Sequence, residues 1–208
     1  HAFDQMSIQS CPHDPTLEDR LLADIAAERG AHPADVVLDL AIESDLEIRF
    51  MIPLANNDED DVEEALKDPN TVLALSDAGA HMSQLCDSCY STHLLGHWVR
   101  ERGSFTLEAA VHMLTARPAE VMGITDRGLL TEGLAADVVV FDPAIVGAGT
   151  SERVYDLPGG ADRLIVEALG IDAVIVNGIL VRHGGTDTLD PANSAGKLPG
   201  KLLRNGHA

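Results

Sequence analysis

TVLALSDAGAH, residues Thr71 to His81, sets four apolar side chains (Val72, Leu73, Ala74, Leu75) directly before Ser76-Asp77 and a small, Gly-containing turn. A buried parallel strand reads this way when it ends by presenting a carboxylate. In a (β/α)-barrel, catalytic residues sit at the C-terminal ends of strands. Asp77 is therefore the first candidate for chemistry, as a metal-associated carboxylate or a general base. The competing reading is an Asp that starts a turn by capping nearby amides.

Outward from this run, the upstream sequence alternates strand and helix. Gln5 to Ser10 predicts a short strand. Asp14-Pro15 predicts a helix start, and Leu17, Leu21, Leu22 and Ile25 recur at helical spacing until Gly30. Pro33 opens a second helix with Val36, Val37, Leu40 and Ala41 on one face. LEIRFMIPL, Leu46 to Leu54, predicts a strand. A third helix, about Asp58 to Lys67 and capped by Asn57, leads into Thr71 to Leu75. Strand, helix and strand in that order imply parallel strands with a right-handed crossover.

Downstream, the segment from Ser76 to Cys89 is long for a βα connection, and such loops are often functional. Helices are predicted at about Ser91 to Arg102, after Thr106, and from Pro118 to Met122. The texture then turns β-rich. Asp137 to Phe141 predicts a strand, and Asn177-Gly178 between two apolar runs predicts a type I′ hairpin. The Gly/Pro-rich tail from Gly184 predicts irregular chain.

Composition limits the function. The 208 residues hold 14 basic and 34 acidic side chains, a net charge of −20, with 45% hydrophobic residues. Mean hydropathy is +0.04. This is a globular composition. Its charge repels phosphate backbones and anionic membranes, so neither nucleic acid nor membrane is expected as a partner. No apolar stretch approaches the ~20 residues needed to span a bilayer. The opening residues lack a leader pattern, and three cysteines argue for a reducing, cytoplasmic setting. The chain begins at His1, which predicts a piece of a longer protein.

His81, Cys86, Cys89 and His93 cluster in HMSQLCDSCYSTH, a donor set of the zinc-binding type at unusually tight spacing. The alternative is two free thiols beside unrelated histidines. His93 and His97 share a helix face, but a zincin needs Glu after the first His, and Leu94 stands there. No G-x-S-x-G elbow, P-loop or G-x-G-x-x-G follows a strand, so Ser-nucleophile and nucleotide-binding readings lack support.

The ordered segments SDAGAH, THLLGHWVRERG, SFTLEAAVHMLTARPAEVMGI, TDRGLLTEGLAADVVVFDP and GIDAVIVNGILV, closed by PGKLLR, resemble one family. They are similar to the C-terminal part of a metal-dependent amidohydrolase, close to the N-acyl-D-amino-acid deacylases (D-aminoacylases). The resemblance runs from about Thr16 to Arg204. It implies an α/β fold: the C-terminal portion of a (β/α)8 TIM-type barrel followed by strands of a small β-sandwich. On this reading residues 1–135 carry barrel strands seven and eight with their helices, and residues 136–208 carry the sandwich part and tail. A complete barrel needs about 250 residues, so the chain is expected to be a fragment. A partial barrel should leave apolar helix faces uncovered.

The resemblance further implies zinc, hydrolysis of a linear amide such as an N-acyl-D-amino acid, and a metal-ligating, catalytic role for Asp77. There Asp77 takes the proton from a zinc-bound water and delivers it to the leaving amine. His81, Thr92 and His93 are candidate substrate contacts. The family's H-x-H pair has no counterpart among the nine histidines, so most metal ligands lie outside this chain. Two other readings stand beside this one: an inactive scaffold fragment, and a cyclic-amide hydrolase of the dihydropyrimidinase or imidazolone type.

Overall fold

Phe3, Met6 and Ile8 open a small apolar core that α-helices then close. The computed structural model describes residues 2–53, 55–74, 76–190 and 198–207. They form two compact units, residues 1–65 and 66–208.

In the first unit, β1 (Ser7–Ser10) pairs antiparallel with β2 (Arg49–Met51), with Ile8 opposite Phe50. Residues 19–22 run along β1: Ile8 N–H donates to Arg20 O (3.0 Å), and Leu22 N–H donates to Met6 O (2.8 Å). Two helices cover this ribbon, α1 (Leu22–Arg29) and α2 (Pro33–Glu43). Ile8, Leu22 and Val36 are fully buried between them, with Ile25 and Leu40 nearly so. Burying a side chain of this kind contributes about 1.5–3 kcal/mol. Gly30 ends α1 at φ 62°, a left-handed turn that glycine adopts without a Cβ penalty. Arg29 then ties α1 to α2 through a two-pronged pair with Glu43, both contacts 3.2 Å. The outer face of α2 leaves Leu38 and Ile42 61% and 74% exposed. The unit leaves through α3 (Glu59–Lys67).

Several local expectations are corrected here. The Pro15 turn is only a 3-10 turn over Pro15–Leu17, capped by Asp14 as expected. The chain then extends along β1 before α1 begins, and its backbone groups pair with Met6 and Ile8 there. The cap of α3 is Asp58, whose carboxylate accepts from Asp60 and Asp61 N–H, rather than Asn57. The strand expected over Leu46 to Leu54 shortens to Arg49–Met51, with Leu54 outside the described residues. Residues 71–74 lie outside any strand, and Leu75 is not among the described residues. The expected parallel crossover is absent: every strand pair among the described residues is antiparallel. A parallel strand takes its hydrogen bonds from flanking strands, and no strand among the described residues lies beside 71–74 to supply them.

In the second unit, α4 (Tyr90–His93) passes into a π-helical stretch over Leu94–Glu101. The expected α-helix from Ser91 to Arg102 is thus widened: Arg102 N–H reaches back five residues to His97 O (2.8 Å). Such widened turns are rare and concentrate at functional sites. Two helices follow, α5 (Leu107–Leu114) and α6 (Ala116–Val121), and Thr106 caps α5 through Ala109 N–H (3.2 Å). Among the described residues the β-rich part holds six strands: β3 (Val138–Phe141), β4 (Gly147–Val154), β5 (Arg163–Leu169), β6 (Ile171–Val176), β7 (Ile179–His183) and β8 (Thr186–Asp187). The sheet order is β3-β6-β7-β8, while β4 and β5 form a separate ribbon. Asn177 and Gly178 join β6 to β7 at φ 48° and 78°, the positive pair a type I′ turn requires.

Candidate functional site

The loop from Ser76 to Cys89 carries Asp77 and His81, and it leads into the helix that carries Thr92 and His93. It holds neither helix nor strand, so its shape depends on individual hydrogen bonds. Ser76 Oγ accepts from Ala78 N–H (3.2 Å). Asp77 O accepts from Ala80 N–H (2.9 Å). Asp87, late in the loop, folds back: its Oδ2 accepts from Asp77 N–H (3.0 Å). Asp77 itself is exposed, with its backbone held and its carboxylate at the surface of this unit. A carboxylate so placed is available to accept a proton from, or return it to, a group presented from solvent.

His81 follows at φ 50°, a left-handed position that histidine tolerates better than most residues. Its carbonyl accepts from Gln84 N–H (2.7 Å) and Leu85 N–H (3.2 Å), and its side chain is exposed. Thr92 is only 6% exposed, and its hydroxyl donates to Cys89 O (3.1 Å). That geometry fits a helix-packing role and leaves Thr92 little surface to offer a substrate. His93 is exposed and stacks on His97, ring centroids 4.9 Å apart and 16° from parallel. His97 Nδ1–H donates to Glu101 Oε2 (3.2 Å). This bond first, and then Arg100, holds the Glu101 carboxyl below the ordinary glutamate range. The spacing made the His93–His97 pair readable, and the structure adds Glu101 to it.

The quartet His81, Cys86, Cys89 and His93 does not form a metal centre. No group of three or more His, Cys, Asp or Glu side chains able to hold a metal occurs among the described residues. Burial pushes the Cys89 thiol up, with Cys86 and Asp87 adding to it, which opposes the thiolate a metal would need. Cys11, Cys86 and Cys89 are free thiols. Asp77 alone supplies one carboxylate, so the residues present do not fit a complete zinc site.

Two residues that sequence reasoning passed over shape this loop. One is Asp87, above. The other is Arg153 of β4, whose Nη1 donates to Ser83 O (3.0 Å) across 70 positions of sequence. Only Asp87 had a local signal, a carboxylate enclosed by two cysteines. A cleft of about 300 Å³ belongs to the first unit and contains none of the candidate residues. Its charged lining is already engaged, Arg29 with Glu43 and Asp14 with Thr16.

No helix among the described residues is long and apolar enough to cross a membrane. Residues 2–182 match the model of the amidohydrolase family. D-aminoacylase from Alcaligenes xylosoxydans xylosoxydans is 36% identical over 171 residues, covering 81% of this chain and 32% of the relative. N-acyl-D-glutamate deacylase from the same organism is 40% identical over 113 residues, covering 54% of this chain and 20% of the relative. A crystal structure of D-aminoacylase superposes with a TM-score of 0.50 at 32% identity, covering 88% of this chain and 35% of that one. The chain thus spans about a third or less of the length of these relatives. The resemblance to D-aminoacylases seen in the sequence holds, and the chain belongs to the amidohydrolase family.

Proposed function

We propose that this chain is the C-terminal part of a metal-dependent amide hydrolase whose substrate is an N-acyl-D-amino acid. The observation that carries this reading is the family match over residues 2–182, joined to two relatives named for D-amino-acid deacylation. Residues 1–135 then belong to the last part of a (β/α)8 barrel, and residues 136–208 to a small β-sandwich and tail. In the parent enzyme, 71–75 takes its place as a barrel strand once neighbouring strands supply its hydrogen bonds. Asp77 then stands at that strand's C-terminal end, where barrel enzymes carry their chemistry.

Within that frame the Asp77 carboxylate accepts the proton of the water that attacks the amide carbon. It returns that proton to the leaving nitrogen as the C–N bond breaks, so the carboxylate ends as it began. His81 and His93 line the approach to it and make hydrogen bonds to the substrate's polar groups. Thr92 holds the start of the helix through Cys89 O. Zinc is the metal the resemblance implies, with its remaining donors outside these residues. The 208-residue chain alone is expected to be inactive.

A substrate panel on the parent enzyme tests the reading. Turnover of N-acyl-D-amino acids, with N-acyl-L-amino acids and cyclic amides poor substrates, is the expected result. Turnover confined to dihydropyrimidines or imidazolones overturns it.

A further inference from the structure

The loop that carries Asp77 is gripped from outside by one rung of the β4–β5 ribbon. Arg153 on β4 is paired with Leu164 on β5. Both residues of that rung reach the loop at adjacent positions. Leu164 N–H donates to Met82 O (2.8 Å), and Arg153 Nη1 donates to Ser83 O (3.0 Å). Asp162 aims the guanidinium by pairing with the same Nη1, and the two side chains are only 15% and 24% exposed. The ribbon is itself fixed to the π-helical stretch. Arg100 Nη1 donates to Val146 O, and Val146 is fully buried. The other hydrogen bonds of the loop among the described residues run within it, as from Asp77 N–H to Asp87 Oδ2, or tie its end to the helix that follows, as from His93 N–H to Cys89 O (2.8 Å).

We propose that Arg153 is a positioning residue: it anchors the Met82-Ser83 part of the loop and so sets where the Asp77 carboxylate stands. This rests on the reading of Asp77 as the proton carrier. A second feature supports a dedicated role. Among the described residues Arg153 Nη2 is buried without a hydrogen-bond partner, a costly arrangement for a cation held only for packing. The contacts that matter run through a single nitrogen, so one ammonium can replace them. A misplacement of about 1 Å can cost on the order of 10²-fold in rate, so a loosened anchor should be visible in turnover.

The test compares the parent enzyme with its Arg153→Lys, Arg153→Met and Asp162→Asn variants by hydrogen–deuterium exchange and steady-state kinetics. Arg153→Met should accelerate exchange across 76–89 about tenfold while β6 and β7 keep wild-type protection. It should also lower kcat about tenfold with KM changed less than twofold. Arg153→Lys should restore both, and Asp162→Asn should accelerate exchange in the same loop to a smaller extent. Unchanged loop exchange overturns the anchor. Acceleration spread evenly over β6 and β7 marks Arg153 as merely structural and overturns the proposal as well. A loosened loop with undiminished kcat overturns the positioning role. If Asp77→Asn keeps full turnover, the proton-carrier reading falls, while the exchange data still decide whether Arg153 holds the loop.

Discussion

Gly96→Ala should destabilise this protein, against the usual sign of such a change. Replacing Gly by Ala inside a helix ordinarily stabilises by about 0.5–1 kcal/mol, because glycine loses more conformational freedom on folding. At Gly96 the added Cβ would stand 2.9 Å from Val146 O and 3.0 Å from Gly147 Cα. Both neighbours are backbone, and ordinary contact begins near 3.4 Å. The β4 end must therefore retreat by about half an ångström, the shortfall that overpacking a core imposes. Val146 is fully buried, and its carbonyl also accepts from Arg100, so the retreat must disturb the packing around a buried residue that the helix already holds. Overpacking of this kind costs about 1–3 kcal/mol, and a mid-range cost of about 2 kcal/mol leaves a net loss of about 1–1.5 kcal/mol after the helical gain. In a domain of this size that lowers Tm by about 2–6 °C. Thermal unfolding followed by far-UV circular dichroism reads it. A Tm that is unchanged or raised would refute the close helix–ribbon contact, and with it the rigid base on which the Arg153 anchor depends.

Two further outcomes are expected. The Asp156 carboxyl accepts two bonds from Arg163 (both 2.7 Å), and this pairing holds it below the ordinary aspartate range. Its folded pKa is depressed, so its stabilising effect is present above the unfolded value and is lost as pH falls through the folded one; an NMR titration should show its midpoint rise in Arg163→Met, and a midpoint that stays put would remove Arg163 as the cause. Elemental analysis should find zinc in the parent enzyme and less than stoichiometric zinc on the 208-residue chain, and a chelator should abolish the parent's turnover; a full equivalent on the isolated chain would contradict the reading of Asp77 as one ligand among absent others.

Local signals in the sequence carried through where a residue's own backbone preference decides the structure. Gly30 takes φ 62° after α1, Thr106 caps α5, and Asn177-Gly178 turns β6 into β7. The side chains that supply these features lie within a few residues of the groups they serve. TVLAL shows the opposite case. Its apolar run is a fair strand signal, yet strand formation belongs to the neighbours, and 71–74 has none among the described residues. The β4–β5 ribbon went unread because GAGTSERV carries Gly147 and Gly149 and no alternation of apolar and polar residues. Its stability comes from pairing with RLIVEAL, and Gly149 lets the ribbon close where a Cβ would stand 3.0 Å from Glu167 O. The site divides in the same way. The shared face of His93 and His97 was legible from spacing, and their rings stack. The Arg153–Ser83 contact spans 70 positions and leaves no local trace. The burial of Thr92 and its hydroxyl's bond to Cys89 O were likewise not visible in the sequence, which shows polarity but not burial.

The most direct test is the turnover of Asp77→Asn in the parent enzyme, measured on an N-acyl-D-amino acid with metal content determined in parallel. Asparagine keeps the shape and the backbone bond to Asp87 but cannot carry the proton. The account expects kcat to fall by about 10²–10⁴-fold, the contribution of a positioned acid–base group, with metal largely retained and the fold intact. Turnover within a factor of two or three of wild type would contradict it.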